Sequence, residues 1–498
     1  MNKTAIVIGS GFAGISVASF LAKEGWNVTV LEKHDQPGGR ARRLQVQGFT
    51  FDMGPSWYWM PDVFERYFEQ FGKSTTDYYE LERLDPSYRV YWPDDHWDIP
   101  ANYNALKNLF EKFEPGAGKA LDKVMAEAEY KYRTGIQNLV FKPGQSWAEF
   151  LDAGLIKGIF KLDVFTSVKK HFSSHFKHHK IRELLEFPVL FLGALAEDTP
   201  ALYSLMNYAD IKGGTWFPKG GMYKVVEGMH QLAESLGVKF VFGQNVQQIV
   251  VNAGRAKKVI AISGNGIEVD YEAKVVIANA DYHFTETKLL PSASRSYTDK
   301  YWDTRVMAPG CLLFYVGLNK KIAGLQHHSL FFDVPFAPHA ADIYTTPQWP
   351  ESPLFYVSAT SVTDPSQAPE GCENLFFLVP VATGIEGDVE GLRKLYFEKI
   401  VSRFENRTGT NIREHIVFYK SFAGSDFIKD YNAFKGNAYG LANTLMQTAI
   451  LKPSCRSKKV SNLFYTGQLT VPGPGVPPSL ISGEVVAKEI QKYFAKEC

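Results

Sequence analysis

The sequence predicts an α/β chain with α+β elements: a β-α-β unit at the N-terminus, a helical middle segment, and a second unit built on a mixed sheet. Two observations carry the first unit. Thr4–Ile8 and Trp26–Glu32 are short apolar runs of strand type, and Ala13–Glu24 between them has helical periodicity, the pattern of parallel strands joined by a crossover helix. A third observation carries the rest: between about residues 70 and 215 the pattern is mostly helical and rich in aromatics, and strands return only after that. Lys239–Phe242, Val246–Val251, Lys258–Ser263 and Lys274–Ala278 read as short strands that rejoin the first unit. A stretch rich in Pro, Ser, Thr and aromatics follows to about residue 385, then a helix over Gly391–Arg407. Asn462–Phe494 reads as a strand, a Pro/Gly loop and a helix after Pro478.

Composition narrows the function classes. A chain of 498 residues with 45% apolar and 14% aromatic residues builds large cores. A net charge of +1 offers no global attraction to nucleic acid, so no nucleic-acid partner is expected. Cys311, Cys372, Cys455 and Cys498 are far apart, which indicates neither a disulfide framework nor a zinc site and fits a reducing compartment. The first strand begins at Thr4, leaving no room for an export signal, so a cytoplasmic chain is expected. The longest apolar run, Phe187–Ala196, is about half of the roughly 20 residues a membrane span needs.

Gly9-Ser10-Gly11-Phe12-Ala13-Gly14 lies between the first strand and helix, where glycines permit a tight turn, close backbone approach to a pyrophosphate, and close helix packing. Glu32, followed by Lys33, ends the second strand 21 residues after Gly11, the spacing at which a carboxylate accepts hydrogen bonds from a ribose diol. Together these are a Rossmann-type dinucleotide site. Six residues past Glu32 comes Gly38-Gly39-Arg40.

That E-x5-G-G-R pattern resembles the second fingerprint of FAD enzymes related to glutathione reductase, the subgroup that contains amine oxidases and carotenoid desaturases. In them the paired glycines and the Arg approach the FAD diphosphate. The C-terminal pieces, Asn462–Gln468, Pro472-Gly473-Pro474-Gly475-Val476-Pro477 and Ser482-Gly483, are similar to the signature of the bacterial phytoene desaturase family, where this loop lies beside the isoalloxazine and ribityl chain. Asp52-Met53-Gly54-Pro55-Ser56, Trp216–Met222, Asn279-Ala280-Asp281 and Thr363-Asp364-Pro365-Ser366 match in the same order. The resemblance implies FAD held non-covalently by Gly9, Gly11, Phe12, Ala13, Gly14, Glu32, Lys33, Gly38, Gly39, Arg40, Gly54, Pro55, Ser56, Gly467, Gly475 and Val476, with Val246 bracketing the adenine. It implies a discontinuous FAD-binding domain at residues 1–70, 215–285 and 455–498, and a substrate domain at 71–120 and 286–454. Residues 121–214 form a helical, membrane-associating subdomain in this reading.

In that subdomain Leu155, Ile159, Leu162, Phe165, Val168, Phe172 and Phe176 recur every three or four residues, and seven Lys or Arg between Leu155 and Arg182 face one acid, Asp163. A basic amphipathic segment with exposed phenylalanines suits a peripheral, monotopic contact with an anionic bilayer at the inner face of the cytoplasmic membrane. The alternative is a helix packed on the core with a solvated basic face. His171, His175 and His178 share a helical face, but no carboxylate or Cys completes a set at ligand spacing, so no metal is expected.

The resemblance implies a carotenoid substrate and removal of two hydrogens, one as hydride to the flavin. It is closest to the flavobacterial branch associated with 3,4-desaturation of 1′-hydroxy-γ-carotenoids. A phytoene desaturase, a flavin oxidase or isomerase of another apolar substrate, and a non-catalytic prenyl-binding escort protein are the alternatives. No residue stands out as a catalytic base; Asp210 and Glu197 fall in the substrate region, each with an ordinary capping or surface role as the competing reading.

Overall fold

The computed structural model describes residues 3–146, 149, 162–190, 193 and 195–497. Its centre is a five-stranded parallel sheet in the order Leu463–Tyr465, Val275–Ala278, Thr4–Ile8, Asn27–Leu31, Lys239–Val241. Ala5, Ile6, Val7 and Ile8 are all buried, so both faces of the central strand are covered, as parallel strands require. The helix Phe12–Lys23 crosses one face and packs against the C-terminal helix Val476–Glu497. That contact needs Gly483: a Cβ there would stand 2.5 Å from Ser16 Cβ and 2.6 Å from the Val17 nitrogen. Ser16 Oγ donates to the Leu480 carbonyl across the same contact (2.7 Å).

The second sheet has seven strands, ordered Ile416–Phe422, Gly310–Leu318, Glu373–Val381, Phe355–Ser358, His328–Phe331, Tyr88–Tyr91, His96–Ile99. It is mixed, because Tyr88–Tyr91 runs parallel to His328–Phe331 and the other pairs are antiparallel. Along Gly310–Leu318 the side chains alternate between two cores: Cys311, Leu313 and Tyr315 join the core shared with the parallel sheet, while Leu312, Phe314 and Val316 meet the helix Glu390–Thr408. The strands Gln244–Asn252, Arg255–Ser263 and Glu268–Glu272 form a separate antiparallel meander rather than part of the parallel sheet.

Three expectations need correction. The segment expected to be mostly helical holds the strands Leu81–Arg83, Tyr88–Tyr91 and His96–Ile99 ahead of its helices Tyr103–Phe113 and Ala117–Thr134. These strands are three or four residues long; Leu81–Arg83 and Tyr88–Tyr91 pair with strands far along the chain, Trp216–Pro218 and His328–Phe331, and His96–Ile99 pairs with Tyr88–Tyr91. The C-terminal helix begins at Val476, with Pro477 and Pro478 in its first turn, where proline forfeits no intrahelical hydrogen bond. Over its described residues, 162–182, the basic segment is not one amphipathic face. It holds the helix Val168–His175, capped by Ser167, whose Oγ accepts from the Lys170 N–H, and the start of the helix His179–Leu190. Leu162, Val168, Phe172 and Phe176 are buried in the protein core while Phe165 is 81% exposed. Lys180 is buried between Asp94 (2.8 Å) and Asp95 (2.6 Å). Leu155, Lys157, Ile159 and Lys161 lie outside the described residues. Among the described residues no helix is long and apolar enough to cross a membrane.

Gly483→Ala is expected to force the two packed helices apart and to lower stability by roughly 1–3 kcal/mol, the usual cost of overpacking. A fall in the thermal unfolding midpoint measures it; an unchanged midpoint would show that the helices separate freely.

Candidate active site

The first strand ends in a turn made almost wholly of backbone. Gly9 takes a positive φ of 98°, and a Cβ on Gly14 would lie 2.1 Å from the Gly9 carbonyl oxygen. Phe12 and Ala13 are buried in the helix's first turn, whose leading N–H groups have no intrahelical acceptor. The Gly38 N–H donates to the Ser10 carbonyl (2.9 Å), and a Cβ on Gly39 would stand 3.4 Å from Gly11 Cα. The two glycine loops therefore lie backbone against backbone. Glu32 fastens them: Oε2 accepts from the Ser10 N–H (2.8 Å) and Ser10 Oγ (2.6 Å), and Oε1 accepts from the His34 N–H (2.9 Å).

Beside this turn opens a cavity of about 660 Å³. Of the residues singled out from sequence, Gly9, Gly11, Glu32, Lys33, Gly39, Arg40 and Val246 line it. The Arg40 guanidinium donates to the Asn437 carbonyl (3.0 Å), leaving its buried Nε without a partner, and burial pulls its pKa down. Gln244 Oε1 is a second buried polar atom without a partner on this wall. Lys33 turns its Nζ to the carbonyls of Lys429 (2.7 Å) and Asp430 (3.2 Å), and burial lowers its pKa. Free helix N–H groups and an unsatisfied guanidinium N–H suit a diphosphate, and carboxylate lone pairs at Glu32 suit a ribose, so the residues fit FAD.

Phe12, Ala13, Gly14 and Gly38 stand behind that wall. Gly54, Pro55, Ser56, Gly467, Gly475 and Val476 do not line it either. Gly54 and Gly467 belong to the next layer. A Cβ on Gly54 would meet the Arg40 carbonyl oxygen at 2.5 Å, and one on Gly467 would lie 3.3 Å from Asn279 Oδ1, whose amide donates to the Gly9 carbonyl (3.1 Å). Other matched pieces meet as well. Asp52 accepts from the Met222 and Tyr223 N–H groups (2.8 and 3.0 Å), and Asp364 accepts from the Gly220 N–H (2.8 Å). Sequence reasoning missed Asp430, Tyr431 and Asn432, which close the cavity from about 390 residues away and carry no local motif. It also missed Lys452, a buried lysine at the C-terminal loop: its Nζ donates to Asn443 Oδ1 (3.0 Å), a Cβ on Gly473 would stand 3.1 Å from it, and burial pulls its pKa down to about 7.

A second cavity, of about 690 Å³, has apolar walls that include Phe187, Leu330, Phe332, Ile343, Leu378 and Tyr439. Two polar groups on its wall are already engaged. His339 Nε2 donates to the Pro380 carbonyl (2.8 Å) while Nδ1 accepts from the Leu354 N–H (2.9 Å), so its lone pair is used. Tyr356 donates its hydroxyl to Ser56 Oγ (3.0 Å) and meets His328 Nδ1 at 2.7 Å. Burial pulls the His328 pKa well down and leaves the ring neutral. Neither carboxylate in the substrate region faces this cavity. Asp210 is buried, accepting from Tyr88 (2.8 Å) and Thr215 (3.0 Å), with its pKa pushed up to about 6 by that burial; Glu197 pairs with Lys169 at the surface.

Replacing Gly11 by Leu is expected to yield a colourless chain, and Glu32→Ala, which removes three hydrogen bonds from the turn, to weaken FAD binding at least about tenfold, or about 1.4 kcal/mol. Flavin fluorescence released per chain on denaturation measures both. Full occupancy in both variants would place the cofactor elsewhere.

A family model described as "Flavin containing amine oxidoreductase" matches residues 12–491. A carotenoid 3,4-desaturase of Haloarcula japonica is 40% identical over 98% of this chain and 98% of its own. A zeta-carotene-forming phytoene desaturase of Myxococcus xanthus is 32% identical, covering 98% of this chain and 94% of its own. The crystal structure of an oxidoreductase from Methanosarcina mazei shares the fold with a TM-score of 0.62 at 16% identity, over 97% of this chain and 100% of that one. The chain is an FAD-dependent oxidoreductase that belongs to the flavin-containing amine oxidoreductase family and, within it, to the carotenoid and phytoene desaturases.

Proposed function

We propose that the chain introduces a carbon–carbon double bond into a carotenoid, and more narrowly that it acts at the 3,4 position of a 1′-hydroxy-γ-carotenoid. The observation that carries the reading is the apolar cavity of about 690 Å³, whose wall residue Tyr356 bonds to Ser56, two residues from the Gly54 backbone that abuts Arg40. The name of the Haloarcula japonica relative supports the position of the new bond. In this reading Gly9, Gly11, Phe12–Gly14, Gly38, Gly39 and Arg40 hold the FAD diphosphate, Glu32 and Lys33 the ribose end, and Val246 the adenine. Gly54–Ser56, Gly467, Gly475 and Val476 flank the isoalloxazine. The corresponding division is a cofactor domain at residues 1–70, 215–285 and 455–498, a substrate domain at 71–120 and 286–454, and a helical subdomain at 121–214.

Bound FAD supplies the hydride acceptor. The chain's own residues align a long apolar molecule and keep water from it. Seven Phe and Tyr side chains on the cavity wall give it π-faces, whose partial negative charge favours a positive charge developing along a conjugated chain. A tertiary hydroxyl on the substrate needs a partner, since burying it unpaired costs roughly 1–3 kcal/mol. The row His328–Tyr356–Ser56 is the polar feature of the wall that can rearrange to supply one.

An apolar substrate of this kind resides in a bilayer, and peripheral contact at the inner face of the cytoplasmic membrane is part of the proposal. Exposed Lys169, Lys170 and Lys177, together with the exposed Phe165, support it. Neutralising Lys157, Lys161, Lys169 and Lys170 together is expected to weaken sedimentation with anionic vesicles while leaving flavin content unchanged, each charge being worth on the order of 1 kcal/mol. Unaltered sedimentation of that variant would remove the segment from the interface.

Anaerobic mixing in liposomes tests the substrate. A 1′-hydroxylated γ-carotenoid is expected to bleach the flavin and shift its own absorption maximum to the red. Conversion of phytoene alone would overturn the late-pathway assignment; no conversion of either, with a reducible flavin, would overturn the carotenoid reading.

A further inference from the structure

The helical segment holds a constellation that flavin chemistry does not use. Glu127 lies on the helix Ala117–Thr134, and His171 and His175 lie one turn apart on the helix Val168–His175, so both rings leave the same face. One carboxylate oxygen of Glu127 and one nitrogen of each ring all lie within 4.8 Å of one another. Glu127 Oε2 stands 3.9 Å from His171 Nε2, beyond hydrogen-bond reach. That nitrogen is buried and has no hydrogen-bond partner, on a side chain only 6% exposed. A buried ring nitrogen normally finds a partner, so this one is aimed at something that neither helix supplies.

The spacing identifies the missing group. Two ligands each about 2.0–2.1 Å from a tetrahedral cation are about 3.3 Å apart, so small side-chain rotations bring these three donors round a shared ion. The nearby cations do not forbid an ion. Lys131 is committed to Asp163 (3.0 Å), the Ala201 carbonyl (3.1 Å) and Ser204 Oγ (3.3 Å), and Lys123 is exposed to solvent that screens it. Two imidazoles and a carboxylate suit a borderline-soft divalent ion rather than calcium or magnesium.

We propose that Glu127, His171 and His175 form a site for Zn²⁺ or a similar divalent transition metal, which ties the helix Ala117–Thr134 to the helix Val168–His175 and leaves a fourth position to water. The reading of the histidines as a trio with His178 is replaced: His178 lies beyond the end of the helix, stacked against Trp97 and beside Phe113.

The test uses the full-length, flavin-loaded chain, freed of metal by a chelator and titrated with Zn²⁺ against a chromophoric competitor. Wild type is expected to bind one zinc per chain and to melt at a higher temperature when it is bound. Glu127→Gln and His175→Ala, both at half-exposed positions, are expected to weaken binding at least about tenfold and to abolish the melting shift. Their flavin content and metal-free melting should equal those of wild type, which separates lost ligation from lost fold. His178→Ala should bind zinc like wild type. The proposal is overturned if wild type binds no zinc at submillimolar concentration, or if the Glu127→Gln/His175→Ala double variant binds it unchanged, which would mean an adventitious ion only.

Discussion

A side chain at residue 14 would put its first carbon 2.1 Å from the Gly9 carbonyl oxygen, and the molecule is arranged around the close approach that its absence permits. Because the first helix can sit directly on the end of the first strand, its N-terminus meets the edge of the parallel sheet without an intervening layer of side chains. Strand order then does the rest. Val275–Ala278 pairs beside Thr4–Ile8 and delivers Asn279 to the Gly9 carbonyl; Leu463–Tyr465 pairs beside Val275–Ala278 and delivers Gly467 to Asn279. Three parts of the chain separated by hundreds of residues reach one point because parallel pairing brings all their C-terminal ends to the same edge.

The same edge joins the two cavities. Arg40 reaches the dinucleotide cavity with its side chain, while its carbonyl packs against Gly54, and from there the chain runs to Ser56 and its hydrogen bond with Tyr356. On the other side Asn437 accepts from Arg40 and from Gln468, whose carbonyl crowds Gly440 next to the cavity residue Tyr439. The half-buried Arg40 guanidinium has a backbone carbonyl as its nearest partner and a buried Nε with none. Binding a diphosphate completes it, so the cofactor contributes to the order of the segments that also shape the apolar cavity.

What was legible in the sequence follows the range of each interaction. The turn Gly9–Gly14, the acceptor Glu32 and the loop Gly38-Gly39-Arg40 are partners within about thirty residues of chain, and their spacing encodes their geometry. Asp430 and Tyr431 reach the cavity through tertiary packing alone, and nothing near them in sequence marks them. Charge counting over Leu155–Arg182 overstated the exposed charge for the same reason: Lys180 is neutralised by Asp94 and Asp95, and Phe172 and Phe176 are buried against helices that precede them. Glu127 was invisible as a companion of His171 because the two meet only after the helices pack. The short strands Leu81–Arg83 and Tyr88–Tyr91 depend likewise on remote partners, which outweigh their weak local pattern.

Three histidines on and around the apolar cavity are already engaged or held neutral. His339 faces the apolar cavity with both ring nitrogens engaged, and His327 and His328 are held neutral by burial, their pKa values driven far below the working range. A strong base at a cavity of this kind would itself have to be desolvated as a charge, a cost that raises the pKa of even the hydrogen-bonded carboxylates Asp52 and Asp210 to about 6. An apolar wall and an ionised base are therefore competing demands on the same space. The chain resolves the conflict in favour of the wall: aromatic faces surround the cavity, and His339 and Tyr356 are engaged by groups behind it. Selectivity among apolar substrates then rests on shape and on the few hydroxyls able to exchange partners, with Tyr356 standing where the cavity wall meets the Gly54–Ser56 turn.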